Sequence, residues 1–258
     1  MPLVATVLGV AVLGAAALGH AETPAPSGGT VTEVIDGDTL GLDDGTTVRL
    51  VGIEAPKPPP GRHAGRAWPL ADAARAALRE LALGKTVSLA YGGTRQDRYG
   101  RHLAQVTLGD GRWLEGELLR RGLARVHTLE DNRARTAEML ALERDARAAR
   151  RGLWAERAYR VRRPEEAAAD ADSFQLVEGT VVKAATARGQ TYLDFGPDYR
   201  TDFTVVIPGK ARRLFAAAGI DLAKLGGRRV LVRGWIMLRN GPMIELTHPE
   251  ALELMEEG

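Results

Sequence analysis

The stretch TVTEVIDGDTLGLDDGTTVRLVGI, residues 30–53, decides the fold of the amino-terminal half of this chain. It holds three short runs rich in β-branched residues, and the turn signals Asp36-Gly37 and Asp44-Gly45 separate them. Because Asp-Gly between such runs is a strong hairpin signal, the stretch predicts three consecutive strands. The predicted strands are residues 31–35, 39–42 and 47–53.

The residues that follow extend this pattern with helices and two more strands. Apolar residues at helical spacing predict a helix at 69–83, and β-rich runs predict strands at 86–91 and 103–108. Two further helices are predicted at 113–121 and 133–151. Three strands, a helix, two strands and trailing helices is the order of a five-stranded Greek-key barrel of the OB type. The predicted class is therefore β-rich α+β, with this barrel over residues 29–154.

The carboxy-terminal half repeats the same order of elements. Residues 155–173 read as a polar linker without a core pattern, and residues 250–258 read as an acidic tail. Between them, residues 174–249 show three strand-like runs, one helix and two more strands. We therefore predict a second, smaller OB-like barrel as an auxiliary domain.

The amino terminus has the pattern of an export signal. Residues 3–18 form an unbroken apolar run, followed by the small-x-small sequence Gly19-His20-Ala21. This predicts a cleavable signal peptide at 1–21 and a secreted or periplasmic protein. No Lys or Arg follows Met1, so an uncleaved membrane anchor is the alternative. No later segment is apolar enough to span a bilayer, so a cleaved chain would have no stable membrane span.

Composition excludes several classes of site. The 258 residues are 45% hydrophobic and 26% charged, as in ordinary globular proteins, and the formal net charge is +2. The chain has no cysteine, which excludes disulfides, thiolate metal sites and a cysteine nucleophile. Arginine clusters at 147–151 and 160–163 fit either polyanion binding or a solvated surface.

A set of carboxylates and arginines recurs around the predicted strand ends. Asp38 follows a tight turn and Glu54 ends the third strand, so in a small barrel the two carboxylates could flank one cation. Arg49 lies five residues before Glu54, so the two side chains would leave a regular strand on opposite faces. A bend is needed for them to meet, and Gly52 is where we expect it. The alternative is that these residues are turn formers and surface ion pairs.

Five motifs in one order resemble the staphylococcal nuclease (thermonuclease) family, a calcium-dependent OB-fold phosphodiesterase family. The resemblance covers residues 29–154, about half of the chain. Its runs are VIDGDT at 34–39, RLVGIEAP at 49–56, DRYGR at 97–101, LLRRGLA at 118–124 and GLW at 152–154. Each run alone is weak, but five in the right order are a specific signal.

The resemblance implies a metal site. It implies Ca²⁺ on the side chains of Asp38 and Glu54, with the Ala55 carbonyl as a further ligand and Asp36 just behind them. It also implies that no organic cofactor is needed.

The resemblance also implies that Arg49 and Arg101 bind the phosphate and stabilise the transition state. The family carries a Glu two residues after the Ala55 position, and that Glu orients or deprotonates the attacking water. This chain has Lys57 there. Loss of a general base typically costs about 10²–10⁴ in rate. Three alternatives follow: a slow nuclease with metal-bound hydroxide, a site assisted by Lys57, or a domain that binds phosphate without turnover.

A second departure concerns base stacking. Where the family carries stacking tyrosines, residues 126–130 read VHTLE, although Tyr99 remains. In the second half, five aromatic residues form either a stacking platform or a core. They are Tyr192, Phe195, Tyr199, Phe203 and Trp235.

The leading hypothesis from the sequence is an exported, calcium-dependent endonuclease, a hydrolase of phosphodiester bonds in DNA or RNA, slowed because Lys57 replaces the base. The first alternative is a catalytically impaired nucleic-acid- or phosphate-binding module of the cell envelope. A protein-interaction scaffold is the third hypothesis. The sequence predicts no oligomeric state.

Overall fold

The computed structural model describes residues 27–57 and 69–255. The predicted signal peptide at 1–21, the prolines at 58–60 and the last three residues of the predicted tail lie outside this range. Within the described residues, no helix is long and apolar enough to cross a membrane.

Over its described residues, the amino-terminal half is a closed five-stranded barrel with three α-helices. Its elements are β1 (Gly28–Asp36), β2 (Thr39–Leu42), β3 (Thr47–Leu50), β4 (Gly52–Glu54), α1 (Ala71–Ala82), β5 (Thr86–Ala90), β6 (His102–Leu108), α2 (Leu114–Arg120), β7 (Arg125–His127) and α3 (Thr136–Ala148). The barrel order is β1-β2-β3-β6-β5, in which only β3 and β6 pair in parallel. The predicted OB-type barrel is therefore confirmed.

Alternating apolar residues of the strands fill the barrel and the helices cover it. Val48 and Leu50 are fully buried on β3, and Leu78 of α1 is fully buried as its helical spacing predicts. The helix α1 packs against β1, and α2 packs against α3. This core fixes the strand ends on which the charged residues lie.

Gly52 interrupts the third strand and redirects it. Its φ of 90° lies in a region that residues with a Cβ atom rarely adopt. A Cβ at this position would lie 2.6 Å from the Met139 Cε atom. The chain leaves the barrel here, and β4 pairs with β7 in a separate two-stranded sheet. The bend expected at Gly52 is thus present, and it turns Glu54 toward Arg49.

The carboxy-terminal half contains eight strands in two sheets. Its elements are β8 (Phe174–Thr180), β9 (Lys183–Ala187), β10 (Gln190–Asp194), β11 (Thr204–Ile207), α4 (Arg212–Ala217), β12 (Arg229–Trp235), β13 (Met237–Leu238), β14 (Pro242–Glu245) and β15 (Leu252–Leu254). One sheet has the order β13-β14-β11-β10-β9, and the other has the order β15-β12-β8.

These two sheets keep the strand order of the first barrel. Two residues separate β8 from β9, and only Ile236 separates β12 from β13. If each pair is one bent strand, the neighbours around the ring are β8/β9, β10, β11, β14 and β12/β13. The parallel pair β11–β14 corresponds to β3–β6 of the first half. The predicted OB-like order is therefore present, although its ring is divided between two sheets at the bends.

The segment predicted as a polar linker differs from that prediction. Residues 155–173 contain the 3-10 helices Arg157–Tyr159 and Pro164–Asp170, and they bury Tyr159, Ala167 and Arg162. The Arg162 Nε atom lies 2.5 Å from the Asp170 carboxylate. A hydrophobicity pattern cannot detect this packing, because two of the buried residues, Arg162 and Asp170, are charged and satisfy each other.

The predicted acidic tail also differs over its described part. Residues 252–254 form β15, which pairs with β12, and the Leu252 side chain is buried. The Glu253 carboxylate binds Arg233 instead of facing solvent. The acidic residues in the described part of the predicted tail, Glu250 and Glu253, are therefore partners of arginines.

A buried ion pair joins the two halves of the chain. The Arg233 guanidinium on β12 contacts the carboxylates of Glu143 on α3 and Glu253 on β15. Arg233 also donates to the Val126 carbonyl of β7 at 3.3 Å, while the Val126 amide donates to Glu143 at 3.1 Å. Side chains of Arg233 and Glu143 are only 2% and 1% exposed. The second half thus holds β7, and through β7 it supports β4.

Candidate active site

A cleft of about 330 Å³ opens where β3, β4 and β7 meet the end of β12. Its charged and aromatic lining includes Arg49, Glu54, Lys57, Arg101, His127 and Trp235. Five of these come from the amino-terminal barrel, and Trp235 comes from the second half. The cleft combines cations, the carboxylates of Glu54 and Asp97, and an exposed indole within one small volume.

The turn between β1 and β2 places Asp38 beneath this cleft. The Asp38 amide donates to the Asp36 side chain at 2.9 Å, which fixes the turn. The Asp38 side chain is fully buried, and its Oδ2 atom accepts a hydrogen bond from the Ala55 amide at 2.8 Å. Ala55 thus contributes its N–H group to the site. The role predicted for the Ala55 carbonyl stays a prediction.

Arg49 binds both carboxylates that the sequence singled out. Its Nη1 atom lies 2.8 Å from Asp38 Oδ1, and its Nη2 atom lies 2.6 Å from Glu54 Oε2. The same guanidinium donates to the Ile53 carbonyl at 2.9 Å. A guanidinium presents its donors in a rigid planar fork, so these contacts fix its orientation. The side chains of Asp38, Glu54 and Arg49 therefore come together here, as expected from the sequence.

Lys57 joins the same group of charges. Its Nζ atom lies 2.8 Å from Asp38 Oδ1, 3.6 Å from Asp36 Oδ2 and 3.8 Å from Glu54 Oε1. We call Asp36, Asp38 and Glu54 the carboxylate cluster. The Lys57 side chain is 28% exposed, so it also reaches the cleft. The residue at the expected base position therefore contacts all three carboxylates.

Burial and neighbouring charges shift the pKa values of the cluster in different directions. Complete burial raises the pKa of Asp38 to about 6, although Arg49 and Lys57 oppose this. Burial also acts on Glu54, but Arg49, with smaller contributions from His127 and Lys57, holds the pKa of Glu54 well below its usual value. For Asp36, Lys57 and the Asp38 amide outweigh burial and lower the pKa. The cluster thus places three carboxyl groups beside the side chains of Arg49 and Lys57.

Arg101 lines the cleft but stands apart from the cluster. Its Nε and Nη2 atoms lie 2.8 and 2.7 Å from Asp97 Oδ2, and its guanidinium carbon lies 5.7 Å from the centre of the Tyr99 ring. The Asp97 side chain also accepts the amides of Tyr99 and Arg101, which closes the turn before β6. Arg101 is partly exposed, so it can reach an anion in the cleft.

The carboxylate cluster does not fit a divalent metal as it stands. Ca²⁺ needs about six to eight oxygen ligands at about 2.3–2.6 Å. Both oxygens of Asp38 are already engaged by Arg49, Lys57 and the Ala55 amide. Across residues 27–57 and 69–255, no group of three or more His, Asp or Glu side chains is arranged to hold a metal ion. The calcium expectation and the arrangement of the side chains thus disagree.

Sequence reasoning did not assign His127 a role in this site. Because β4 and β7 pair with Gly52 opposite His127, the imidazole comes to the cleft beside Glu54. Its Nδ1 atom lies 3.5 Å from Glu54 Oε2. The only local signal was the short alternation at 125–127, which is too brief to predict a strand.

Trp235 is the second residue whose place the sequence did not indicate. It is 43% exposed at the end of β12 and lines the cleft. Of the five aromatic residues of the hypothetical platform, Phe195 and Phe203 are buried and pack against each other at 5.1 Å. Two of the five are therefore core residues, Tyr192 is half-buried, and Tyr199 and Trp235 are exposed, with Trp235 at the cleft.

Comparisons with known proteins agree with the fold of the amino-terminal half. The family described as "Staphylococcal nuclease homologue" matches residues 47–156. Two proteins named "Uncharacterized endonuclease", from Escherichia coli and Escherichia coli O157:H7, are each 35% identical over 132 residues, which is 50% of this chain and 77% of theirs. A protein of Schizophyllum commune named "Probable endonuclease LCL3" is 36% identical over 121 residues, or 42% of this chain and 40% of its own length.

Proposed function

Because this chain belongs to the staphylococcal nuclease family, we propose that it is an endonuclease that hydrolyses phosphodiester bonds of DNA or RNA in the cleft between β3 and β7. The observation that carries the proposal is the pairing of Arg49 with Asp38 and Glu54 beside a second cleft arginine, Arg101. Two guanidinium groups at one cleft suit a phosphodiester, whose charge increases as water attacks phosphorus.

Each arginine has a distinct part in this mechanism. Asp38, Glu54 and the Ile53 carbonyl engage the Nη donors of Arg49, so Arg49 would act on a phosphate mainly as a positive charge held in a fixed position. Among the described residues, Arg101 contacts Asp97 and the Tyr99 ring, and its partial exposure would let it turn toward a phosphate oxygen. Together they would neutralise the charge that develops in the transition state.

The proton of the attacking water needs an acceptor, and His127 is the side chain best placed for it. Asp38 is fully buried and cannot reach water. The His127 imidazole lines the cleft, and the Glu54 carboxylate lies on its Nδ1 side, which leaves Nε2 to face a water molecule. A base oriented by a carboxylate is a common arrangement for proton transfer. In this scheme Lys57 remains an ion-pair partner and is not the base.

Ca²⁺, which the family resemblance implies, has no part in this mechanism, because Lys57 and Arg49 engage the carboxylate cluster. Lys57, which stands at the family's base position, serves in this proposal as a cation of the site. The site thus differs from the family pattern both at the metal and at the base.

The test is a cleavage assay with labelled single-stranded DNA and RNA. We expect internal fragmentation by the wild-type protein and loss of fragmentation in Arg49→Ala. Arg79→Ala is the matched control, since Arg79 is exposed on α1 and does not line the cleft. Intact substrate at all protein concentrations, with folded protein, would refute the nuclease.

A binding module without turnover is the second candidate. Lys57 favours it, because the family's catalytic Glu is absent and a cation faces the cleft in its place. Binding of DNA or RNA in a gel-shift assay that Arg101→Ala weakens, without cleavage, would select this candidate.

We also propose that the protein is exported, on the apolar run at 3–18 and the small-x-small sequence that ends at Ala21. Recovery from the secreted or periplasmic fraction of a chain beginning at Glu22 would support this. A full-length chain in the membrane fraction would support the anchored alternative.

A further inference from the structure

The carboxylate cluster has a cation inside it that belongs to the chain itself. We propose that the Lys57 ammonium takes the place that a divalent cation would hold among Asp36, Asp38 and Glu54, so this phosphodiester site is built around an internal charge and does not bind Ca²⁺. The proposal concerns the cation of the site and does not require that the chain cleave its substrate.

The distances put the ammonium where a metal would have to sit. The Nζ atom lies within 4 Å of one oxygen from each of the three carboxylates. A calcium ion would need about 2.3–2.6 Å to the same Asp38 Oδ1 atom that lies 2.8 Å from Nζ. The two cations cannot share that oxygen, since both would occupy nearly the same volume.

The remaining oxygens of the cluster have partners too. Asp38 Oδ2 accepts the Ala55 amide, and Glu54 Oε2 faces Arg49 and His127. Asp36 Oδ1 accepts the Asp38 amide. A metal could therefore bind only through the three oxygens that Lys57 contacts, and in the wild-type protein it would have to displace the ammonium.

The charges of the cluster explain why one lysine is sufficient. Three carboxylates face two cations, Arg49 and Lys57, which leaves one net negative charge. A doubly charged ion added here would lie beside two positive groups. An ammonium is a compact charge with three donors, and Lys57 is partly exposed to the cleft, so a donor can remain for a phosphate oxygen.

The backbone holds the lysine at this position. Ala55 lies two residues before Lys57, and its amide binds the Asp38 carboxylate. Glu54 lies three residues before Lys57, and Arg49 fixes its carboxylate. The ammonium is thus attached by a short segment to the residues that it neutralises. This makes the internal cation a stable part of the site.

Isothermal titration of the full chain with calcium chloride tests the inference without any measurement of activity. We expect no binding by the wild-type protein or by Lys57→Arg, which keeps the charge. Lys57→Gln should bind one Ca²⁺ with a dissociation constant on the order of 10⁻⁴–10⁻³ M. Calcium should also raise the melting temperature of Lys57→Gln alone, because a ligand of the native state stabilises it.

Two further variants identify the ligands and control for the loss of a charge. Lys85→Gln removes an exposed lysine outside the cleft and should behave as wild type. Asp38→Asn combined with Lys57→Gln should abolish the binding that Lys57→Gln gains.

Three results would overturn the inference. They are calcium binding by the wild-type protein that Asp38→Asn abolishes, equal binding by Lys57→Arg and Lys57→Gln, and no binding by a folded Lys57→Gln protein. An absence of nuclease activity would refute the proposed function, and the calorimetric result would still decide the role of Lys57.

Discussion

Replacement of Arg233 by methionine should strongly lower the free energy of unfolding, because Arg233 is part of the buried ion pair between the two halves. Methionine retains the apolar bulk of the side chain and removes its charge. The Glu143 carboxylate would then stay buried without its guanidinium partner, and the Val126 carbonyl would lose a donor. Loss of one partner of a buried ion pair costs about 3–5 kcal/mol. Most proteins have about 5–15 kcal/mol of stability in total, so this is a large fraction.

A second substitution tests the physical reason. Glu143→Gln removes the buried charge but keeps an oxygen for the Val126 amide. The double variant Arg233→Met with Glu143→Gln should therefore be more stable than Arg233→Met alone, although a charge at Glu253 remains to be solvated. If repulsion and desolvation of the Glu143 carboxylate were unimportant, the changes in the free energy of unfolding caused by the two substitutions would simply add.

Urea denaturation followed by tryptophan fluorescence measures these differences. We expect a lower midpoint for Arg233→Met with an unchanged slope, and a partial recovery in the double variant. A loss below about 1 kcal/mol for Arg233→Met, as is typical of an exposed pair, would refute the reasoning. So would a double variant less stable than the single one.

Three further predictions concern the cleft and the pH dependence of folding. His127→Gln should lower kcat by about 10²–10⁴ with an unchanged melting temperature and unchanged DNA binding, because only proton transfer is removed; normal turnover would eliminate His127 as the base. Trp235→Leu should weaken single-stranded DNA binding by about 5- to 150-fold in a fluorescence titration, the value of one stacked base, and Tyr199→Leu serves as the exposed aromatic control. Burial raises the pKa of Glu115 from 4.5 to about 8, so the folded state holds this proton more tightly and stability should fall as pH rises from about 4.5 to about 8. Glu115→Gln should flatten that part of the curve in thermal melts, and an unchanged slope would contradict the assignment.

Local sequence was sufficient to predict the barrel because its signals are local. Alternating apolar residues, Asp-Gly turns and helical spacing each act over a few residues, and they specify five strands with their helices. The meeting of Asp38, Glu54 and Arg49 was also predictable, since Gly52 supplied the bend that a regular strand lacks. These parts of the site follow from one continuous stretch of chain.

The rest of the site depends on contacts that no short stretch encodes. His127 reaches the cleft because β7 pairs with β4, and Trp235 reaches it because Arg233 fixes β12 against the first half. The position of Lys57 in the sequence suggested an altered base, whereas its ammonium lies among the carboxylates. A residue type at a motif position predicts that the chemistry has changed, but only the three-dimensional surroundings show how.

The buried packing in the second half was missed for a related reason. Patterns of hydrophobicity treat Arg162, Asp170 and Glu253 as solvated residues. Each is paired in the structure, so its charge is compensated within the protein. Charged residues in segments such as 155–173 therefore cannot be assumed to lie at the surface.

The contact of Arg233 with Glu143 and Val126 has a consequence for the nuclease-like half when it is separated from the second half. The family match ends at residue 156, yet Glu143 and Thr128 take their partners Arg233 and His248 from beyond it. A fragment that ended at this boundary would leave Glu143 and Thr128 without these partners and would loosen β7, the strand next to the cleft. A first half expressed alone should therefore be less stable than the same residues within the full chain.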